Sequence, residues 1–490
     1  MYKNPDGVMI GLEVHVQLNK LKTKIFCGCS TDYHNDPPNS HVCPVCLGLP
    51  GSMPVINRKA VEAAIKVGLA FNCTVEERTQ FYRKNYFYPD LPKAFQITQY
   101  DFPISSNGYV TIEGEDGEHK VRINRAHMEE DPGRLVHEGT IDRSKYTLID
   151  YNRSGMALLE IVSEPDMRSP KEARRYLDKL RNIVEYLEVS NVDLEGAMRV
   201  DANISIMGGQ RAEIKNISSF KGAERALLFE IVRQKNVLRR GGTVVQETRH
   251  FDEAREITLS MRTKEEAHDY RYFPEPDLVP LKISGWAPAI KEALPELPDA
   301  RRMRFVEQYG ITDEHAKSLT SELKVAVFFE DVAQEADPKL AAVWVNDVLK
   351  GELNYRNLTI DAFRKEDILS IIGLLSADRI TDDGAVDIIR TILDKGGKPG
   401  TAGFNETITL TKSPEEIFKE KGLLKVEGDI VETAAQEAIA EKPQAVADYK
   451  AGKEKALNSL VGAVMEKTKG RADARTAREI LLEKLGKVLV

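Results

Sequence analysis

An α+β chain, rich in strands to about residue 290 and helical beyond, is what this sequence predicts, on three observations. Apolar and polar residues alternate through Gly11–Leu18 and again through Met198–Ile206, the two-residue period of strands with one buried face. Six prolines fall from Pro274 to Pro298, a composition that suits a domain boundary. After them apolar residues recur every three or four positions, the spacing of helices packed on one side.

In the first strand Leu12, Val14, Val16 and Leu18 share one face, while Glu13, His15 and Gln17 share the other. A carboxylate and an imidazole thus stand side by side, although an ordinary surface strand can look the same. Cys27-Gly28-Cys29 and Cys43-Pro44-Val45-Cys46 then place four of the five cysteines within twenty residues. The loop between them, 30–42, is rich in Asn, Asp, Pro and Ser and turns back easily. Cys27, Cys29, Cys43 and Cys46 can bring four thiolates to one tetrahedral zinc ion. With no coordination position left open, such a site is structural; four packed thiols are the plainer alternative. Cys73 is expected in a helix-like segment, packed rather than nucleophilic.

Arg83-Lys84-Asn85-Tyr86-Phe87-Tyr88-Pro89-Asp90 sets two cations beside three aromatics. Cations hold phosphates and aromatics stack on bases, and an aromatic core edge is the alternative. His127-Met128-Glu129-Glu130-Asp131 follows a strand expected over Val121–Arg125. Three adjacent acids repel unless a cation compensates, so the choice lies between an exposed turn and a divalent-metal site with the oxygen ligands typical of Mg²⁺. Glu160 sits inside the apolar run Leu158-Leu159-Glu160-Ile161-Val162. A buried carboxylate needs a partner: an arginine such as Arg153, a sheet edge, or a functional ligand. In Met198–Ile206 the residues Arg199, Asp201, Asn203 and Ser205 share a face that suits a ligand floor or plain solvent, and Glu213 and Lys215 repeat the alternation in 212–216.

Beyond the proline-rich segment, Asp299 is the expected N-cap of a helix through Tyr309 that Gly310 ends. Further helical spacing runs through Leu319–Ala333 and Leu340–Leu349, a second break falls at 395–400, and a helical tail starts near 411. The last forty residues hold nine cations against five acids, either a solvated helical face or a nucleic-acid-touching surface.

At 490 residues, 42% hydrophobic and 30% charged, the chain has the makings of several folded cores. No apolar run approaches the roughly 18 residues a membrane span needs. The opening Met1–Asp6 lacks the apolar stretch of a signal peptide, and free cysteine pairs suit a reducing compartment, so a cytoplasmic location is expected. The net charge of −8 argues against a dedicated nucleic-acid coat without excluding a local basic surface. Neither a G-x-x-x-x-G-K-[ST] loop nor a G-x-G-x-x-G is present, so a nucleotide would have to be held by metal-bridging carboxylates and cations.

Five segments in order, Gly11–His15, Cys43–Gly51, Arg83–Asp90, His127–Asp131 and Asp269–Asp277, resemble the B-subunit family of the glutamyl/aspartyl-tRNA amidotransferases, and the resemblance covers essentially the whole chain. The tail, notably Leu460–Gly470, is similar to that family's YqeY-type tRNA-binding domain. The related archaeal E subunit carries an inserted domain, for which the spacing from Tyr270–Pro274 into Leu294–Pro298 leaves no room. The resemblance implies a cradle-like catalytic domain with the zinc site over 1–292, a helical domain over 293–405 and a YqeY-like tail over 406–490. It implies ATP-dependent phosphorylation of the side-chain carboxylate of Glu-tRNA(Gln) or Asp-tRNA(Asn), followed by amidation with ammonia. That ammonia comes from the amidase, or A, component of a heterotrimer, which a small C component completes. The family's metal-site residues fall on Glu13, His15, Glu130 and Glu160, with His15, Glu130 and Glu160 as the Mg²⁺ ligands. Lys84 matches a cationic position near the metal, and Asp201 and Asn203 match the same pocket. Arg83, Tyr86, Tyr88, Arg199 and Glu213 complete the expected ATP and substrate contacts. Ala157 stands where most relatives carry Pro, and Val200 where Cys is common; neither touches an acid. A non-catalytic tRNA-binding scaffold and a free-standing ATP-dependent carboxylate ligase are the competing classes.

Overall fold

The computed structural model describes residue 4 and residues 6–137, 146–262, 270–394, 413–426 and 428–486. The chain divides into two compact units, Met1–Leu297 and Pro298–Val490. The expected break at 395–400, the boundary at 405/406, Asp269 of the fifth matching segment and Lys487 of the tail lie outside the described residues.

Among the described residues, sixteen strands build the first unit: β1 (Met9–Gln17), β2 (Thr74–Val75), β3 (Arg78–Thr79), β4 (Phe81–Asn85), β5 (Phe95–Gln99), β6 (Ser105–Gly114), β7 (Gly117–Glu130), β8 (Arg134–His137), β9 (Thr147–Asp150), β10 (Ala157–Ser163), β11 (Met198–Ser205), β12 (Ala212–Ile217), β13 (Glu247–Asp252), β14 (Ile257–Arg262), β15 (Phe273–Pro274) and β16 (Leu281–Lys282). Twelve of them form one sheet in the order β14-β13-β12-β11-β1-β10-β7-β5-β4-β15, with β6 on β7 and β2 on β6; β3 pairs with β16 and β8 with β9. Among the described residues only β12 and β13 pair in parallel. The strand predicted over Val121–Arg125 is the middle of β7, and the acidic run continues that strand instead of following it as a turn.

The alternation works as the residues require. Leu12, Val14 and Val16 of β1, Leu159 and Ile161 of β10, and Val200, Ala202 and Ile204 of β11 enter one core. Helices α1 (Arg58–Ala70), α2 (Pro170–Tyr186) and α3 (Phe220–Arg239) add their apolar stripes to it, α2 through Ala173, Tyr176, Leu177, Leu180 and Val184. Each helix starts at a side-chain cap: Asn57 for α1, Ser169 ahead of Pro170 for α2, and Ser219 for α3. With one sheet face sealed by helices, the other is left for polar residues.

Cys73 lies past the end of α1 and not within a helix, because Phe71 already caps α1 and the chain turns into β2. It is buried, and burial pushes its thiol up to about 11, which leaves it a packing residue.

The second unit is helical. Pro298–Tyr309 forms the expected helix, but it already includes Pro298, so Asp299 lies in its first turn and is not its N-cap; Gly310 follows at φ +62°. Leu323–Ala333 is helical, and Pro338–Ala342 runs on through a π-helical turn, Val343–Leu349, into Lys350–Tyr355. The helices Asp429–Glu441, Lys455–Lys467 and Ala474–Leu485 close round a core that includes Val431, Leu460, Val464 and Leu481. Several tail cations have acidic neighbours: Lys467 bonds Glu437 and Glu441, Lys484 lies 3.6 Å from Glu432, and Lys453 bonds Asp448. The local positive excess is thereby reduced. No helix among the described residues is long and apolar enough to cross a membrane.

Gly108 on β6 is needed for close approach. A Cβ there would stand 2.3 Å from the Cys73 sulfur and 2.6 Å from the Phe71 carbonyl oxygen. Gly108→Ala is expected to lower the stability of the first unit by about 1–3 kcal/mol, read from a urea melt of the full chain.

Candidate active site

The polar face of the sheet is set by register. On β1, His15 lies opposite Glu160 of β10 and opposite Arg199 of β11, and Glu160 in turn lies opposite His127 of β7. One row across four strands therefore reads His127, Glu160, His15, Arg199. In the flanking rows Glu13 pairs with Asp201, while Glu129 and Gln17 flank Leu158. Period-2 alternation aims all these side chains to one side.

Two clusters result. His15, Glu129 and Glu160 present donor atoms within 4.8 Å of one another, and so do Glu13, Asp201 and Glu213. In the first, His15 Nε2 is 3.3 Å from Glu160 and 3.7 Å from Glu129, and His127 Nε2 is 3.5 Å from Glu160. In the second, Lys215 Nζ donates to Asp201 at 2.6 Å and lies 3.4 Å from Glu213, while the Asn203 amide donates to Glu13 at 3.0 Å. Thr248 donates to Glu213 at 3.0 Å.

Glu130 does not join these clusters. One residue out of phase with Glu129, its carboxylate accepts from the Lys93 ammonium and, at 2.7 Å, from the Ile97 amide. A period of two cannot aim adjacent residues to one face, so Glu129 stands where the motif placed Glu130. Arg83 departs in the same way. Its guanidinium grips the buried Glu275 through bonds of 2.6 and 2.9 Å, which makes it a structural pair. Its neighbour Lys84 faces the acids, whose ionisation its charge favours. Tyr88 is exposed. Arg199 donates at 2.7 Å to buried Asp131, which also accepts from Gln17 at 2.5 Å, so that Arg199 is held across the end of the face. Glu160 has imidazole partners, and Arg153 instead donates to the Pro132 and Gly133 carbonyls.

Composition alone did not single out the aromatic wall. The ring of Tyr86 lies 6.0 Å from that of Tyr270, Tyr270 lies 6.2 Å from Tyr272, and Tyr272 stacks on Tyr100 at 4.1 Å. Lys84 Nζ stands 4.8 Å from the Tyr270 ring. Burial pushes up the Tyr272 and Tyr86 phenols, with the Glu129 charge adding to it in both. The clustered tyrosines of the Tyr270–Pro274 segment were the available signal, but they reach the site only because β15 pairs with β4.

Ahead of the sheet, the four cysteine sulfurs lie within 4.8 Å of one another, and Cys43 and Cys46 are 3.8 Å apart. That is about the tetrahedral edge that metal–sulfur bonds of about 2.3 Å require. The Cys43 amide donates to the Cys46 sulfur at 3.1 Å. Cys46 is drawn down to about 5, first by its bond with Cys27 and also by the Lys24 charge. Cys27 is pushed up chiefly by that same bond, and Cys29 is pushed up to about 11 chiefly by burial. Crowded sulfurs that cannot all ionise alone form a donor set that fits zinc. The knuckle also leans on the loop between β4 and β5: Gly48, at φ +66°, would put a Cβ 2.2 Å from the stem of Lys93, the partner of Glu130.

Titration follows the crowding. Burial opposes a charged His15, but the bond to Glu160 and the charges of Glu160 and Glu129 outweigh it and raise its pKa to about 9. Burial and the Glu160 charge raise Glu129 to about 7, burial lowers His127 to about 4, and the two imidazoles hold Glu160 well below the usual carboxylate range despite its burial. Burial and its acidic neighbours raise Glu13. A face on which Glu13 and Glu129 resist ionising, with hard oxygens and one imidazole converging, fits a divalent cation. In chelator, protonated His15 contributes about 3 kcal/mol, a term whole below pH 6.5 and lost as pH climbs through 9; Glu129 adds a slope of the same sign between about pH 4.5 and 7. Urea melts from pH 6 to 9.5 are expected to show this fall, and His15→Asn to lose most of it.

Known proteins are similar to this sequence. The family described as the GatB/GatE catalytic domain matches residues 8–287, and the GatB domain matches residues 327–485. Proteins named as the B subunit of aspartyl/glutamyl-tRNA(Asn/Gln) amidotransferase are similar along their whole length. That of Methanococcoides burtonii is 68% identical over 485 residues, covering 99% of each chain. That of Methanosarcina mazei is 62% identical over 505 residues, again 99% of each, and that of Haloarcula marismortui is 48% identical over 510, covering 98% of this chain and 97% of its own. With both of its units matched and such relatives aligned end to end, the chain belongs to the GatB family of amidotransferase B subunits.

Proposed function

We propose that this chain is the activating and amidating half of a glutamine-dependent, tRNA-dependent amidotransferase that acts in the cytoplasm. Its substrate is the side-chain carboxylate of Glu-tRNA(Gln), Asp-tRNA(Asn) or both. The observation that carries the reading is the convergence of His15, Glu129 and Glu160 within 4.8 Å, with Lys84 facing them. A carboxylate is a poor electrophile because amine attack would have to expel oxide. Transfer of the ATP γ-phosphoryl group to the carboxylate oxygen gives an acyl phosphate and ADP. Ammonia then attacks the carbonyl carbon, the carbon–oxygen bond to phosphate breaks, and the amide nitrogen gives up its proton. Bound Mg²⁺ supplies charge neutralisation and alignment of the phosphates.

The chain's own residues do the rest. Glu129, Glu160 and His15 hold the cation, with Glu129 in the role expected of Glu130. Lys84 steadies phosphate charge. Tyr86, Tyr270 and Tyr272 offer rings on which a base can stack and help keep water from the acyl phosphate. Arg199, Asp201, Asn203, Glu213 and Lys215 form the polar floor beyond Glu13. The amidase (A) component supplies ammonia, the small C component completes the assembly, and the helical tail meets tRNA. The four cysteines hold a structural zinc that stiffens the knuckle against Lys93.

The test uses the complex with its cognate amidase and small components, mischarged tRNA, ATP, and ammonium as donor so that the amidase step is bypassed. Glu160→Gln and Glu129→Gln are expected to lose about 100-fold or more in amidation. Glu129→Gln should also weaken Mn²⁺ binding, read by electron paramagnetic resonance, while Glu130→Gln leaves that binding unchanged. Wild-type rates for Glu160→Gln would sink the assignment and favour a tRNA-binding scaffold. For the knuckle, elemental analysis should find about one zinc per chain. Its removal should lower the melting temperature and expose the 27–46 loop to protease, without changing Mn²⁺ binding.

A further inference from the structure

Lys24 is fully buried, and a buried ammonium must find an anion or surrender its proton. Among the described residues no carboxylate lies within 4.0 Å of it. Its nitrogen donates to the His41 carbonyl at 2.7 Å and stands 3.8 Å from the Cys46 sulfur. Its backbone belongs to the other half of the knuckle, since the Lys24 amide donates to the Cys29 carbonyl at 3.0 Å and its neighbour Thr23 bridges to Ser30. Its stem passes Gly155, whose added Cβ would lie 3.7 Å from the Lys24 Cδ and 3.3 Å from the Cys46 Cβ. One side chain thus runs from the Cys27–Cys29 arm to the Cys43–Cys46 arm.

We infer that Lys24 is the built-in counter-charge of the four-cysteine centre, its ammonium neutralising the Cys46 thiolate and tying the two cysteine arms together. This rests on the zinc reading of the knuckle. Four thiolates round one Zn²⁺ leave two net negative charges in a half-buried place, and a resident ammonium halves that excess. Without metal the ammonium faces at most the single thiolate of Cys46, not a centre with two net negative charges. Lys24 is therefore a positioning residue whose worth changes with the occupancy of the centre, which sets it apart from a lysine that merely packs.

The experiment takes the full chain as wild type, Lys24→Met, Lys24→Gln and Lys24→Arg. Zinc retention is titrated against a chromophoric chelator, and melting curves are recorded with zinc and with EDTA. Lys24→Met and Lys24→Gln are expected to hold zinc about 10–100-fold less tightly, with Lys24→Arg closer to wild type. With zinc the two neutral variants should melt below wild type; in EDTA the gap should shrink. Wild-type zinc affinity in both neutral variants, or an equal drop in melting temperature with and without zinc, overturns the counter-charge role. A wild-type chain that takes up no zinc overturns the metal reading and this inference with it. Should Lys24→Met fail to fold, Lys24→Gln keeps a donor without the charge and decides the matter alone.

Discussion

Crowded negative charge on one sheet face is the constraint round which the first unit is organised. The register of β1 between β10 and β11 brings Glu13, His15, Glu160 and Asp201 together, and β7 adds Glu129 and His127. Carboxylates this close cannot all ionise beside a sealed core without compensation. The structure compensates with Lys84, Lys215 and a His15 bonded to Glu160 with Glu129 beside it, and leaves Glu13 and Glu129 reluctant to lose their protons. Such a face fits a divalent cation, which the proposed acyl phosphate chemistry would use in that place.

The face stays in position because its neighbours are anchored out of phase with it. Glu130 turns to Lys93 and the Ile97 amide and Arg83 to Glu275, while Asp131, in phase with Glu129, binds Gln17 and Arg199 at once at the end of the face. These buried pairs add little net stability, because desolvation offsets most of their attraction. Their effect is on direction: each removes an alternative orientation from a strand next to the site. The cysteine knuckle belongs to the same scheme, since Gly48 lets its loop rest on Lys93.

Local pattern made much of this legible. Strict alternation exposed β1 and β11 and their polar faces; prolines from Pro274 to Pro298 marked the end of the first unit near Leu297; and the pairing of four cysteines marked the knuckle. Glu160 stood out because an acid in an apolar strand demands partners. His15 and Glu13 needed only their neighbours to show which way they point.

What eluded local reading was phase and partnership across strands. Whether Glu129 or Glu130 meets His15 depends on how β7 registers against β10, and adjacent acids look alike in a run of three. Arg83 and Lys84 divide between a buried ion pair and the acidic face according to strand phase, and only the fold brings Glu275 to Arg83 across 192 positions. Tyr270 and Tyr272 join Tyr86 and Tyr100 through the pairing of β15 with β4. The sequence by itself determined which side chains share a face, because a two-residue period is a property of neighbours along the chain. Tertiary structure alone decided which faces meet, because strand register is chosen by the burial of the whole sheet.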